Sequence, residues 1–289
     1  MTAAQATAPA TAQAATRQAT PRRTAWGVVR SVLYAVGLPL VLLAAWWVAT
    51  ADSESPFNPP LSEILATFGP TWFSGDSFAD TRFVQDVLPS LGRLLVGYAI
   101  ALVLGIGLGV LIGAVRPLRE LAEPVLEFFR AIPPPVMVPV LMLFLGVGTS
   151  MRVFVIATGA LWPILLNTVE GVRGLDPVLK DTARAFRFGR WGRVRRLMLP
   201  GASPQIVTGA RQALSIAIIL MVISEMFAAR DGLGFSVVQF QRSFAVPEMW
   251  SGVIMLGLLG VLLSFVFRVA TAAVLAWYHG YLRSQRGGA

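Results

Sequence analysis

The chain has 289 residues, of which 55% are hydrophobic and only 13% charged, with a mean hydropathy of +0.68 and a net charge of +9. Soluble domains carry about 25% charged residues, so this composition indicates a membrane protein. Cysteine is absent and His279 is the single histidine, which excludes disulfides, a cysteine nucleophile and the usual zinc or histidine-based catalytic sites.

Six apolar segments follow an N-terminal tail. Residues 1–24 are rich in Ala, Thr and Gln and contain no apolar run, which predicts a disordered tail followed by a transmembrane domain over 25–289. A membrane-spanning helix needs about 20 mainly apolar residues, and the predicted spans are Val28–Thr50, Leu91–Val115, Val125–Leu145, Arg152–Val169, Ile206–Ala228 and Trp250–Tyr278. The third span contains four prolines, so we expect it to be kinked or broken. The predicted fold class is an all-α membrane protein with six transmembrane helices.

The distribution of Lys and Arg among the loops predicts the orientation of these spans, because cytoplasmic loops carry the excess of basic residues. The segment 51–90 has six acidic residues against the single cation Arg82, whereas the tail and the segment 171–203 are basic. We therefore expect the segments 51–90, 146–151 and 229–248 to face outward. Both termini, the turn 116–124 and the segment 171–203 are expected to face the cytoplasm.

Small residues recur every four positions in the second span, at Gly97, Ala101, Gly105, Gly109 and Gly113. This spacing lets another helix approach closely. The stripe is either ordinary helix packing or a pore-lining or sliding interface.

Among the ionisable residues within the predicted spans, three are singled out: Arg211, Glu225 and Arg268. Such residues are functional candidates by default. Glu225 has two structural alternatives, namely capping the turn that follows it or pairing with an arginine. Arg268 is expected to extend to the cytoplasmic interface. After Glu225, Gly232 and Gly234 predict a turn and then a short interfacial helix on the outer face.

The segment from about 174 to 200 is the most basic part of the chain, and eight of the 24 cations lie between Arg173 and Arg196. Asp176 and Pro177 are typical of a helix start, and we predict one helix over Val178–Phe186 and a second over Trp191–Met198 that ends before Pro200. The first helix places Val178, Thr182, Ala185 and Phe186 on one face. Such a face indicates a docking surface, and the alternative is a basic surface that lies on anionic lipid.

This segment resembles the EAA loop of bacterial ABC-importer permeases. Asp181, Thr182 and Ala183 stand for the acidic-Ala-Ala start, and Leu197, Leu199 and Pro200 have the downstream spacing of that loop. Arg187 occupies the position of the usual glycine, and Gly189 is the candidate to take over the turn. Further blocks, such as FFRAIPPPVMVPVLMLFLGVG and SEMFAARDGLG, resemble the nitrate/taurine/aliphatic-sulfonate branch, so the resemblance covers about 57–280.

The resemblance implies a half-transporter for a small solute, such as a sulfonate, taurine, nitrate or a thiamine precursor. Its implied partners are a second permease chain as homodimer or heterodimer, two ATP-binding subunits that carry ATP and Mg²⁺, and an extracytoplasmic substrate-binding protein.

The chain itself has no P-loop, since its one lysine, Lys180, precedes Asp181. We therefore expect no cofactor, no metal, no catalytic residue and no nucleic acid in this subunit. The implied ATPase-coupling residues are Asp181, Thr182, Ala183, Arg184, Phe186, Arg187, Gly189, Leu199 and Pro200. The alternative function is a membrane scaffold whose basic loop binds lipid headgroups.

Overall fold

The computed structural model describes residues 25–228, 230–276 and 278, and every regular element in them is helical. The described residues form two compact units, divided between Asp52 and Ser53. The first contains α1 (Ala25–Thr50). The second contains α2 (Leu61–Phe73), α3 (Leu88–Ala114), α4 (Arg116–Ala131), α5 (Pro134–Leu145), α6 (Thr149–Arg173), α7 (Pro177–Ala185), α8 (Arg190–Arg193), α9 (Leu199–Ala228), α10 (Leu233–Arg242) and α11 (Val246–Val274). The predicted disorder of 1–24 falls outside the described residues.

Four continuous helical stretches are long and apolar enough to cross a membrane: Phe83–Ala114, Thr149–Arg173, Arg190–Phe227 and Val246–Val274. A fifth candidate consists of α4 and α5, which meet at an angle of 90°. This bend confirms the break expected in the third predicted span, because consecutive prolines remove backbone donors and block a continuous helix. Helix α1, Ala25–Thr50, covers the first predicted span, and its stretch Gly37–Thr50 is apolar. Six spans therefore stay a prediction.

Two predicted segments that precede the basic loop have other bounds in the structure. The segment 116–124 is the first half of helix α4, not a turn. Pro117 lies in the first turn of that helix, where its missing N–H costs no hydrogen bond. The fourth span is longer than predicted and runs from Thr149 to Arg173, with Pro163 inside the helix.

Two Leu-Pro pairs continue helices instead of ending them. In each case a π-turn precedes the pair, at Phe83–Val87 and at Val194–Met198, and the leucine N–H donates to the carbonyl five residues back. The proline follows immediately and has no N–H, so the wider turn accommodates the ring within a continuous helix. The predicted end of the second loop helix before Pro200 is therefore wrong, since the helix runs unbroken from Arg190 to Phe227.

The small-residue stripe of α3 packs against α6. An added Cβ atom at Gly97 would lie 2.8 Å from Ile156 Cγ2, and one at Gly105 would lie 2.8 Å from Ile164 Cγ2. Gly109 and Gly113 face Thr168 and Val169 of the same helix. Within the chain the stripe is thus a close helix-packing surface, which lets the two backbones approach as small-residue interfaces do.

Substitution of Gly109 by alanine tests this packing. The new Cβ would lie 2.5 Å from Thr168 Cβ and 3.0 Å from the Leu165 carbonyl oxygen, so we expect the free energy of unfolding to fall by about 1–3 kcal/mol. Titration with SDS, followed by circular dichroism, measures the change. Gly107→Ala is the matched control, because nothing lies within 4 Å of its Cβ position. An equal loss in both variants would contradict the packing.

Candidate functional site: the loop between α6 and α9 and a buried ionic cluster

Helix α7 begins as its sequence predicts. The Asp176 carboxylate accepts the N–H of Val178 at 2.8 Å, and Pro177 occupies the first turn. An Asp cap followed by proline satisfies one free donor and supplies a backbone already suited to the helix. Asp181 and Arg184 form an exposed ion pair on the next turn, and Thr182 Oγ1 donates to the Val178 carbonyl.

Helix α7 ends in a Schellman motif centred on Arg187. The N–H of Phe188 donates to the Ala183 carbonyl at 3.0 Å, and the N–H of Arg187 donates to the Arg184 carbonyl at 2.9 Å. Arg187 has φ = +52°, the left-handed conformation that glycine usually adopts at this position. Gly189 does not take over this role, because its φ of −60° is open to any residue and it caps α8 instead. The interhelical turn therefore has the left-handed residue that glycine usually supplies at a helix end.

The strain at Arg187 predicts that Arg187→Gly stabilises the loop. A non-glycine residue in the left-handed region costs about 1–2 kcal/mol, partly offset by the greater freedom of glycine in the unfolded chain. We expect hydrogen exchange of the amides of residues 186–188 to slow about fivefold, which corresponds to about 1 kcal/mol. Arg184→Gly is the control, and it should speed exchange because residue 184 is helical. Faster exchange in Arg187→Gly would contradict the assigned strain.

The loop presents an exposed apolar face, which we call the aromatic face and define as Val178, Leu179, Phe186 and Trp191. Phe186 is 74% exposed and Trp191 is 73% exposed. Ala183, by contrast, is only 5% exposed. Ala183 is therefore buried within the loop, and its part in ATPase coupling stays a prediction. Leu199 also faces inward, against the cluster of Val110, Val172 and Ala202.

A group of polar and charged side chains lies where α3, α6 and α9 meet the start of α10. We call it the ionic cluster, and it consists of Asp86, Ser90, Arg93, Arg152, Glu225 and Asp231. Glu225 is 1% exposed. Its carboxylate accepts from Arg93 Nη1 at 3.0 Å, from Ser90 Oγ at 2.7 Å and from the Gly234 N–H at 3.0 Å. Both structural alternatives for Glu225 are therefore correct, because the residue pairs with an arginine and also caps the next helix.

Side chains of the ionic cluster bind three consecutive N–H groups at the start of α10. Asp86 accepts from Gly232 at 3.1 Å, and Ser90 accepts from Leu233 at 2.9 Å. Glu225 accepts from Gly234. The glycines are needed here, because Gly232 has φ = +117° and its Cβ would lie 2.5 Å from the Glu225 carboxyl carbon. The predicted turn and short helix after Glu225 are confirmed, and the cluster fixes them to α3 and α9.

Asp231 joins the two arginines of the ionic cluster. It pairs with Arg93 Nη2 and with Arg152 Nη1, the latter at 3.1 Å. Partial burial raises the pKa of the Asp231 carboxyl, but the hydrogen bonds from Arg93 and Arg152 outweigh it and leave the pKa below its ordinary value. The pairs therefore persist at neutral pH and are lost only as the pH falls through that lowered pKa.

Sequence reasoning missed Arg93 and Arg152, although a usable signal exists. Both are isolated cations at the ends of predicted apolar segments, where an ionisable residue calls for a partner. The other two predicted intramembrane cations lie elsewhere: Arg211 and Arg268 line a separate groove between α9 and α11. Among the described residues no cluster of His, Cys, Asp and Glu has the arrangement of a metal site.

Comparisons with known proteins identify the family of the chain. Residues 101–278, more than half of the chain, match the family described as "Binding-protein-dependent transport system inner membrane component". The chain is 28% identical over 259 residues to the taurine transport system permease protein TauC of Escherichia coli, covering 88% of this chain and 92% of TauC. It is 27% identical over 227 residues to the nitrate import permease protein NrtB of Synechocystis sp., covering 77% of this chain and 82% of NrtB.

Among solved structures, a chain of the inward-facing MetNI methionine ABC transporter has a similar fold. The TM-score is 0.58 with 24% sequence identity, and the match covers 67% of this chain and 96% of the MetNI chain. The ABC-permease resemblance of the loop and the surrounding blocks is thereby confirmed for the nitrate/taurine/sulfonate branch. The chain belongs to the family of inner-membrane components of binding-protein-dependent transport systems, the permease subunits of ABC importers.

Proposed function

We propose that this chain is the translocating subunit of an ATP-driven importer whose solute is a small oxyanion, with a sulfonate such as taurine as the leading candidate. The observation that carries the proposal is the aromatic face. Phe186 and Trp191 are large, apolar and exposed on a short loop between spans, and exposed aromatic residues of this kind mark protein interfaces. The partner that fits is a separate ATP-binding subunit.

The helix that follows the loop supports a mechanical role. Arg190–Phe227 is one helix of 38 residues, or about 57 Å at 1.5 Å per residue. One end carries Trp191 of the aromatic face, and Glu225 of the ionic cluster lies near the other end. A displacement of the docked loop would therefore move the whole helix as a rigid element and act on the opposite end of the bundle, which is how rigid-body transitions transmit force.

The solute class is proposed from the relatives. TauC is named for taurine and NrtB for nitrate, and both solutes carry oxygen atoms that bear negative charge. We propose a homodimer of this chain, two ATP-binding subunits and an external substrate-binding protein as the complete transporter. In this assembly hydrolysis occurs on the partner subunits, and the chain itself needs no cofactor.

Topology is open to a direct test, because the chain contains no cysteine. We propose six spans with the loop between α6 and α9 in the cytoplasm and the segment 51–90 outside. Single variants Ser77→Cys and Thr182→Cys place one thiol on each proposed side. In right-side-out vesicles a membrane-impermeant maleimide should label position 77 and not 182, and inside-out vesicles should reverse the result. Labelling of both positions from one side would overturn the topology.

Uptake tests the function itself. Proteoliposomes that contain this chain, its ATP-binding subunit and the substrate-binding protein should accumulate radiolabelled taurine when ATP is supplied on the ATPase side. Omission of ATP or of the ATP-binding subunit should abolish uptake. Accumulation of neither taurine nor nitrate by the assembled complex would overturn the proposed solute class. Failure of the ATP-binding subunit to assemble with the chain would overturn the transport function.

A further inference from the structure

A cavity of about 410 Å³ lies at the break between α4 and α5, against α6 and α9. The 90° bend brings the end of α4 and the beginning of α5 to the same space. Its lining includes Arg130 from α4, Pro134 from α5, and side chains of α6 and α9. Gly159 lets Leu220 pack closely in the wall of the cavity, because an added Cβ at Gly159 would lie 2.0 Å from Leu220 Cδ1. This volume suits a small solute.

The polar groups of this cavity are mainly hydrogen-bond donors. Within the described part of the chain Arg130 forms no ion pair or hydrogen bond, so its guanidinium keeps all its donors for a ligand. Asn167 Nδ2 donates to the Pro163 carbonyl at 2.8 Å and to Gln212 Oε1 at 3.4 Å. That contact orients the Gln212 amide and leaves its own N–H groups as further donors. A site of this kind prefers an anionic acceptor.

The remaining lining is apolar and flat. Trp162 lies in the cavity wall, and its ring stacks on Phe129 with a centroid distance of 6.4 Å and an interplanar angle of 9°. Prolines and Leu220 complete the surface. The cavity thus combines a cationic, donor-rich side with an apolar side.

We propose that this cavity is a solute site on the transport path, where Arg130 and Gln212 bind the oxyanion and Trp162 contacts its carbon chain. The inference rests on the proposed import of a small oxyanion and assigns residues to it. Arg130 also borders a second cavity that contains Glu123, Glu127 and Glu170 together with Arg119 and Arg173. Without Arg130 that lining carries three carboxylates and two cations, and Arg130 forms an ion pair with none of the three carboxylates, so its guanidinium stays available to the solute.

The test measures binding of alkyl sulfonates to the full chain in phosphatidylcholine nanodiscs by isothermal titration calorimetry. Arg130→Gln should weaken butanesulfonate binding at least tenfold, because a hydrogen bond to a charged group contributes about 1.5–3 kcal/mol. Affinity should rise from ethanesulfonate to butanesulfonate by up to about fourfold per methylene. Arg211→Gln is the matched control, since Arg211 lines the other groove, and it should leave binding unchanged.

Two results would overturn the assignment. One is unchanged affinity in Arg130→Gln, and the other is loss of sulfonate binding when phosphatidylglycerol is added to the nanodiscs, which would make a lipid headgroup the occupant. Uptake by the wild-type transporter separates this proposal from the proposed function. If taurine is accumulated with ATP and Arg130→Gln leaves the KM for uptake unchanged, the cavity assignment fails and the import function stands.

Discussion

Replacement of Arg93 by methionine is expected to lower the free energy of unfolding of the chain by about 3–5 kcal/mol. The side chain of Glu225 is fully buried and faces Arg93 at 3.0 Å, so removal of the cation leaves an uncompensated carboxylate inside the bundle. Breaking a buried ion pair from one side carries a penalty of this size. SDS titration followed by circular dichroism in detergent measures the loss.

The companion variants separate charge from packing. Glu225→Gln keeps hydrogen-bonding capacity toward Ser90 and Gly234, so a smaller loss of about 1–2 kcal/mol is expected. The double variant Arg93→Met with Glu225→Met should recover part of the stability lost in Arg93→Met, since it removes both charges. Arg116→Met is the control, because its pair with Glu120 is exposed and should contribute nothing measurable. A double variant less stable than Arg93→Met alone would argue against an ionic interaction.

Local chemistry made the elements around the loop predictable. Asp176 and Pro177 determine the start of α7, and the prolines at positions 133–135 determine the break between α4 and α5. Gly232 and Gly234 predicted the turn before α10 for the same reason, since a left-handed residue and a close backbone contact both require glycine. In each case one or two residues act on the backbone within one turn.

Contacts between distant residues were not predictable from the pattern. Arg93 and Glu225 are 132 positions apart, and apolar periodicity does not determine which faces of α3 and α9 meet. The helix end predicted before Pro200 was wrong for a different reason. Proline normally ends a helix, but here the preceding π-turn makes room for the proline ring and the helix continues. The conformation of Arg187 was not predictable either. The Schellman hydrogen bonds hold this arginine in the left-handed conformation, which arginine disfavours.

Removal of the two aromatic side chains of the aromatic face is expected to weaken association with the ATP-binding subunit strongly. Phe186 and Trp191 are both exposed in the chain, and central aromatic residues of an interface typically contribute about 2 kcal/mol or more. The double variant Phe186→Ala with Trp191→Ala should therefore weaken binding at least about thirtyfold. Biolayer interferometry with the permease in nanodiscs and the purified ATP-binding subunit measures this affinity.

The same variant distinguishes docking from lipid binding by the loop. Its stability in SDS titration should match that of the wild type, because neither side chain is buried in the isolated chain. Phe78→Ala removes a phenylalanine that is 67% exposed on the segment between α2 and α3, and it should leave the affinity unchanged. A loop that served only to lie on anionic lipid would depend on its arginines, which the double variant retains. Unchanged affinity for the ATP-binding subunit in the double variant would therefore refute docking through the aromatic face.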